Sequence, residues 1–458
     1  MTDLLPNDTI VAISTPPGRS GIGVVRVSGP ASLEIARTIV RNQSFTPEPN
    51  RLRLMTLRDP ETGDVLDQAL VTYFRAPNSF TGEDVVELSC HGAPVVLRLL
   101  VDAILRLDAR LAEPGEFTLR ALANGRMNLS QAEAVRDLID ARTNAAARQA
   151  SRQLRGELSH RLQPIKNALL DVIVQLESSL EFVEDDLPPL ATSENRAKLL
   201  GVADELKKLA HTFAAGRLLR EGLRVTLVGR PNVGKSSLFN RLLETDRAIV
   251  TEIPGTTRDT LTETINLEGV AVELTDTAGL RASSDVIETI GVERTKRATA
   301  EADLVVLVLD TSQPLRADDK ELLACNNGTA AVIALNKSDL PLCGNGWKNF
   351  AHNGAAVLRV SAKTGAGIAS LRAALLQPFE SSACGAEELL VTNARHHDLL
   401  NRACAAIESS LDELDQSASE ELILVGLHNA LRFLGEITGE TAPAQILQQI
   451  FSTFCIGK

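Results

Sequence analysis

Apolar positions along the chain recur in three rhythms. Up to about residue 118, short runs rich in β-branched residues (Thr9–Ile13, Gly23–Val27, Ala69–Phe74, Asp84–Leu88) stand between Pro/Gly punctuation such as TPPGRSG and APNSFTG. Helix-period stretches follow two of them, at Ala31–Val40 and Ala93–Leu107, which predicts a mixed α/β domain. From about Phe117 to Leu219 the apolar period lengthens to near 3.6, with one break at DDLPP (Asp185–Pro189), the pattern of long helices. Apolar runs then alternate with helical stretches, at Leu223–Val228, Val270–Thr275, Leu304–Leu309, Ala331–Leu335 and Val357–Val360, the rhythm of a parallel sheet covered by helices. Beyond about 385 the chain reads as helix again. The expected organisation is an N-terminal α/β domain over 1–118, a helical part over 119–219, an inserted α/β domain over 220–379 and a second helical part over 380–458. Because the ends of a compact domain often lie close together, the helical parts are expected to form one discontinuous domain; two separate bundles are the alternative.

A length of 458 residues allows roughly three domains of about 150 residues, as this division requires. Lys+Arg number 47 against 59 Asp+Glu, and the net charge of −12 excludes nucleic-acid binding by bulk electrostatics. Aromatic residues make up only 3%, too few for an extended base-stacking platform. Cys90, Cys325, Cys343, Cys384, Cys404 and Cys455 never approach CxxC spacing, which argues against a zinc or iron–sulfur site and fits a reducing cytoplasm. The opening MTDLLPNDTIVAIS has no basic segment before an apolar one, and the most apolar run, Leu304–Leu309, suits a buried strand rather than a membrane span. Between Leu119 and Arg161 stand eight arginines (120, 126, 136, 142, 148, 152, 155, 161) against four acids. Arg148, Arg152 and Arg155 fall at i, i+4 and i+7, so one helix face is expected to touch phosphates or an acidic partner, with a solvated charged face as the alternative.

The inserted domain carries the chemistry. The run ending at Val228 leads into Gly229-Arg230-Pro231-Asn232-Val233-Gly234-Lys235-Ser236 and then a helical SLFNRLL, so G-x-x-x-x-G-K-[ST] lies in its strand–loop–helix setting. Glycines let backbone N–H groups curl around phosphates at a helix N-terminus; Lys235 is expected on the β/γ-phosphates and the Ser236 hydroxyl on magnesium. Contacts to the nucleotide are expected from Asn232, Val233, Gly234, Lys235, Ser236 and Ser237. Downstream, Thr257 within GTTRD is placed to complete the magnesium shell, and Thr251, Glu252, Ile253, Pro254, Gly255 and Thr256 lead up to it. Asp276-Thr277-Ala278-Gly279 supplies a carboxylate to the metal side and a backbone N–H to the γ-phosphate. Asn336-Lys337-Ser338-Asp339 follows an apolar run, and the Asp339 carboxylate can accept from both the ring N–H and the exocyclic amine of guanine. Adenine lacks that donor pair, so the base is guanine. Ser361, Ala362 and Lys363 close the base pocket. Together these motifs imply GTP binding.

After DTAG comes Leu280, which has no group to orient an attacking water, so hydrolysis requires another residue. Glu288, acting through a bridging water, is one candidate; a solvated surface glutamate is the alternative. An Asn232 amide oxygen with carbonyls of the 251–256 loop would hold a monovalent cation against the phosphates and predicts potassium-stimulated hydrolysis. The competing reading is that Arg230, Arg258 or Arg281 supplies that charge.

Beside GRPNVGKS, GTTRD and DTAGLR, the chain carries TPPGRSGIGVVRVSG (15–29), PNSFTGEDVVELSCHG (77–92), EPGEFTLRALANGRMNLSQAEAV (113–135), LGEITGE (434–440) and FCIGK (454–458). In these motifs it resembles, over essentially its whole length, the MnmE (TrmE) family of tRNA uridine-modification GTPases. The resemblance implies an N-terminal domain that binds a tetrahydrofolate (5,10-methylene, or the 5-formyl analogue) and promotes a homodimer. Folate contacts would fall on Arg26, Glu87, Arg126 and Lys458, with Arg126 departing from the Lys of the family pattern. It further implies Asn232, Thr251, Ile253 and Thr256 as potassium ligands and Glu288 as catalytic glutamate. It also implies action with an FAD-containing partner, MnmG (GidA), to install an aminomethyl or carboxymethylaminomethyl group at C5 of the tRNA wobble uridine. Cys455, close to Lys458, is a candidate reactive thiol; a thiol without chemistry is the alternative, and CIGK does not fit a prenylation box. A ribosome-assembly GTPase is the main rival, although no GxxG clamp is present in the C-terminal segment. A dynamin-like GTPase is the second rival, although no polybasic amphipathic helix is present. Both leave the N-terminal motifs and FCIGK unexplained.

Overall fold

The computed structural model describes residues 6–181, 193–244, 261–276, 302–325, 331–343, 347, 350, 355–380, 389–416 and 419–457. Residues cluster into two compact units, one of Met1–Arg136, Gln153–Leu162 and Arg432–Lys458, the other of Asp137–Arg152 and Gln163–Leu431.

The first unit is built on a sheet of β1 (Ile10–Ile13), β2 (Ser20–Ser28), β3 (Leu52–Arg58), β4 (Val65–Phe74), β5 (Val85–Gly92) and β6 (Arg110–Leu111) in the order β3-β4-β5-β2-β1-β6. Its pairings are antiparallel except β1 with β6. Helices α1 (Ser32–Ile39) and α2 (Pro94–Leu105) pack their apolar faces on it around Val11, Val25, Val27, Leu57 and Leu88. Pro94 opens α2 at its first turn, where a missing N–H costs nothing. Helix α3 (Glu116–Ala123) and the start of α4 (Leu129–Asp140) then pack against α14 (Ala444–Phe451) through Leu122, Leu129, Leu447, Phe451 and Phe454, which brings the C-terminal stretch to this unit.

Helix α6 (Glu157–Glu181) precedes α7 (Ser193–His211), which in the second unit leads through α8 (Phe213–Glu221) into the second sheet: β7 (Leu223–Val228), β8 (Leu261–Leu267), β9 (Val270–Asp276), β10 (Leu304–Asp310), β11 (Ala331–Asn336) and β12 (Ala356–Arg359). The order is β12-β11-β10-β7-β9-β8, parallel throughout except for β8, which is antiparallel to β9. Every residue of β10 is buried, which explains its unbroken LVVLVLD run: both faces are covered, by α9 (Lys235–Leu243) and α11 (Ile368–Glu380) on one side and by the layer holding Leu323 of α10 (Ala317–Cys325) and Trp347 on the other. The chain then continues into α12 (Ala394–Asp415), which α13 (Glu420–Thr438) follows. Helix α12 lies along α7, with Arg196 paired to Asp415 at 2.8 Å, Lys207 paired to Glu408, and the Cys404 thiol on the carbonyl of Ala203. Helices α7 and α12, which precede and follow the inserted sheet in sequence, thus pack on one another. Among the described residues no helix is long and apolar enough to cross a membrane.

The arginine-rich stretch does not form one charged face, and the shared-face reading is corrected. Arg120 is fully buried and ion-paired, so it cannot contribute to a charged surface. Helix α5 (Asn144–Leu154) ends before Arg155, which instead pairs with Glu157 at 2.9 Å, so Arg148, Arg152 and Arg155 do not share a helix face. The exposed edge strands β3 and β8 were not expected. Their sequences, LRLMTLR and LTETINL, interleave charge and hydroxyls with apolar residues.

Candidate functional site

The phosphate-loop motif occupies the turn from β7, a central strand, into α9, beside the point where the strand order reverses between β9 and β10; ligands of open α/β sheets bind at such a point. Gly234 caps α9 in the left-handed region (φ +96°), and a Cβ there would collide with the Asn336 amide, so only glycine lets the loop pass. Asn232 is also left-handed (φ +63°), a conformation asparagine tolerates better than most side chains. The Lys235 ammonium donates to the carbonyls of Gly229 and Arg230, both at 2.8 Å, and so curls back over the loop.

Beneath the loop, the Ser236 hydroxyl donates to Asp276 Oδ2 at 2.6 Å; Asp276 closes β9 and is buried. A hydroxyl and a carboxylate converging at a strand end form a hard oxygen donor set suited to magnesium. The structure thus brings together two of the residues expected on the metal side.

On the base side, Asn336 Nδ2 donates to the carbonyl of Val233 at 2.9 Å, and Asn336 Oδ1 accepts from the Ala362 N–H at 3.1 Å. The Ser361 hydroxyl donates to Asp339 Oδ1 at 2.6 Å and, first among the influences on it, holds that carboxyl below its ordinary value, so Asp339 is an acceptor at neutral pH. Arg241 of α9 donates to the carbonyls of Ala362 and Lys363, fixing the loop that closes the pocket.

Three features escaped sequence reasoning. Asp310, at the end of β10, pairs with Lys337 at 2.6 Å; its only sequence signal is a charge closing an apolar strand. Arg241 looks like an ordinary exposed helix residue. Arg230 donates to Asp319 Oδ1 at 2.6 Å with both side chains buried, so it is committed to holding the loop and does not supply charge to the phosphates. Arg258 and Arg281 lie outside the described residues, as do Thr251, Glu252, Ile253, Pro254, Gly255, Thr256, Thr257, Thr277, Ala278, Gly279, Glu288 and Lys458.

In the first unit, Arg26 of β2 pairs across the sheet with Glu87 of β5 at 2.8 Å. Its guanidinium lies 5.5 Å from the Phe80 ring centroid and 5.6 Å from that of Phe117. It also reaches the carbonyl of Gly457 at 3.5 Å, so the residue before Lys458 ends beside this pair. Arg126 is exposed, and its stem lies against Gly82, two positions from Phe80. Arg26, through the Phe80 ring, and Arg126, through Gly82, thus both border the 80–82 turn. Cys455 is exposed, and its carbonyl accepts from the Gly115 N–H.

A largely parallel sheet with this phosphate loop at its switch point, and with the Asn336–Asp339 and Ser361–Lys363 loops beside it, defines a P-loop GTPase. Residues 9–126 match the family model for the GTP-binding protein TrmE N-terminus, and residues 129–455 match that for the MnmE helical domain. The tRNA modification GTPase MnmE of Koribacter versatilis is 46% identical over 457 residues, covering 99% of both chains. That of Heliobacterium modesticaldum is 42% identical over 98% of this chain and 99% of its own. Among solved structures, the G domain of the T. maritima FeoB iron transporter is 28% identical over 34% of this chain and 97% of its own, with a TM-score of 0.25. The chain belongs to the MnmE family of tRNA modification GTPases.

Proposed function

We propose that this protein hydrolyses GTP with potassium stimulation. Together with an FAD-containing partner of the MnmG (GidA) type, it adds a carboxymethylaminomethyl or aminomethyl group to C5 of the tRNA wobble uridine, with a tetrahydrofolate as one-carbon donor. The observation that carries the nucleotide half is the Ser236–Asp276 contact beneath the phosphate loop, on the same sheet edge as the Asp339–Ser361 base pocket. In this reading the Ser236 hydroxyl and Thr257 would hold magnesium, with the Asp276 carboxylate beside them, and the ion would supply charge neutralisation to the phosphates. Lys235 leaves its loop carbonyls for the phosphate oxygens, and Glu288 orients the attacking water. The domain reading is a folate-binding and dimerising domain over 1–118, a helical domain over 119–219 and 380–458, and a G domain over 220–379. The folate would lie beside Arg26, Glu87, Arg126 and Lys458. The Arg26–Glu87 pair, flanked by two aromatic rings, supports this reading because it offers a donor fork and a carboxylate to a pterin edge. Cys455 serves as the reactive thiol. The protein acts in the cytoplasm as a homodimer.

In cells lacking the gene, wild type is expected to restore the C5-modified wobble uridines and Asp276→Ala to leave them absent, as read by nucleoside mass spectrometry of bulk tRNA. Cys455→Ser is expected to fail as well while keeping GTP hydrolysis. An unchanged nucleoside profile in the deletion strain would favour a ribosome-assembly role instead.

The potassium reading rests on Asn232. Its left-handed backbone turns the residue outward from the loop, exposed, while its carbonyl is held by Lys337 at 3.0 Å. At fixed ionic strength, hydrolysis is expected to run roughly tenfold faster in potassium than in sodium chloride. Asn232→Gly, which keeps the backbone, should remove the difference. Equal wild-type rates in the two salts would overturn the potassium role.

A further inference from the structure

Lys337 stands at a junction that the guanine-recognition motif does not by itself explain. It has a left-handed backbone (φ +62°), unusual for a long side chain, so the surrounding structure must hold it there. Its ammonium donates to the carbonyl of Asn232 at 3.0 Å, while the neighbouring Asn336 amide donates to the carbonyl of Val233. Two consecutive residues of the base loop are thus stitched to two consecutive carbonyls of the phosphate loop. The Asn336 stitch is buried, whereas the Lys337 side chain is about one-third exposed, and a flexible ammonium needs an anchor to stay on one carbonyl.

Asp310 is that anchor. It ends β10 with a side chain only 1% exposed, and its Oδ2 meets the Lys337 ammonium at 2.6 Å. Its other oxygen, Oδ1, accepts from the Ser312 N–H at 2.9 Å and the Ser312 hydroxyl at 2.6 Å, so the carboxylate cannot swing away. We propose that Asp310 is a positioning residue for guanine-nucleotide binding: it acts through Lys337 to lock the phosphate loop to the base pocket before the nucleotide arrives. A preorganised junction strengthens binding of any nucleotide that spans it, GDP as well as GTP, because ordering the two loops is no longer charged to the ligand. This rests on the guanine-nucleotide reading of the site.

The test is a double-mutant cycle in the full-length protein, read as the dissociation constant of a fluorescent GDP analogue. Asp310→Asn and Lys337→Met are each expected to weaken binding by about tenfold, and the double variant to be within about twofold of either single one. Independent losses that multiply to about a hundredfold would overturn the proposal, since a carboxylate that merely stabilises β10 would weaken binding whether or not Lys337 is present. Should Asp310→Asn lower the melting temperature sharply, Asp310→Ser in the same cycle gives the same two readings. Failure of the wild type to bind the analogue would defeat the nucleotide reading, not this one alone.

Discussion

Replacing Arg120 with alanine is expected to destabilise the N-terminal unit by about 3–5 kcal/mol, the usual cost of removing one partner from a buried ion network. The guanidinium is wholly buried, yet it faces Asp8 and Glu116 through Nη2, at 2.5 and 2.9 Å, and the Glu83 carboxylate and Asp8 carbonyl through Nη1, at 3.1 and 2.8 Å. Glu83 is in turn held by Ser28 of β2, and Glu116 by Arg110 of β6, so one side chain ties the lead-in to β1, β2, β6 and α3 together. Alanine would leave buried carboxylate charge with too little compensation, and lysine could not satisfy three directions at once. Hydrogen exchange on peptides from residues 6–136 is the appropriate readout, because a chain with two units need not unfold in one step. Exchange protection in those peptides equal to wild type would show that the network contributes nothing.

The same network sets an acid dependence. Burial alone would raise the carboxyls of Asp8 and Glu116, but the Arg110 and Arg120 guanidiniums outweigh it and hold both below their ordinary values of 3.8 and 4.5. Groups lowered in the folded state stabilise it above their unfolded values, and that contribution is lost as pH falls through the lowered folded ones. Protection of the wild-type unit is therefore expected to weaken below about pH 4, and the Arg120→Ala unit to show a shallower loss over the same range.

Arg120 also marks the limit of what the sequence discloses. In its stretch of eight arginines it looks like one more solvated charge, because its acceptors come from positions 8, 83 and 116 and only the last is a helical neighbour. Asp310 and Asp319 were equally illegible: each is an ordinary acid until a partner 27 or 89 positions away is brought beside it. Edge strands β3 and β8 escaped for a different reason, since half-exposed strands with interleaved charge have no continuous apolar run to announce them. The residues proposed for the nucleotide site could be picked out because the motifs that carry them are local. A phosphate cradle needs glycines at fixed offsets, and a metal hydroxyl must follow the lysine. An acceptor for guanine must come just after a buried strand, so Gly234, Ser236, Asp276, Asn336 and Asp339 announce themselves by spacing and the fold only has to bring the loops together.

Asp339→Asn is expected to weaken binding of GDP and GTP by about a thousandfold or more and to open the site to xanthine nucleotides. Guanine offers two adjacent donors, the ring N–H and the exocyclic amine, and a carboxylate meets both. An amide meets one and opposes a donor to the other, and a site built to hydrogen-bond a ligand discriminates steeply when a polar group is left facing its like. Xanthine places a carbonyl where guanine has its amine, so the amide N–H₂ finds an acceptor. The surrounding structure should survive the exchange: Ser361 donates to Oδ1, which the amide retains, and Asn336 and Arg241 fix the neighbouring loops without touching Asp339. Fluorescent GDP and XDP titrations against wild type and variant measure the switch. A variant that still binds GDP within tenfold of wild type would mean that Asp339 does not read the base. The switched protein also separates nucleotide use from all else in the reaction: if uridine modification is driven from this site, the variant should modify tRNA with XTP and not with GTP. Modification by the variant with GTP alone would place the energy input elsewhere.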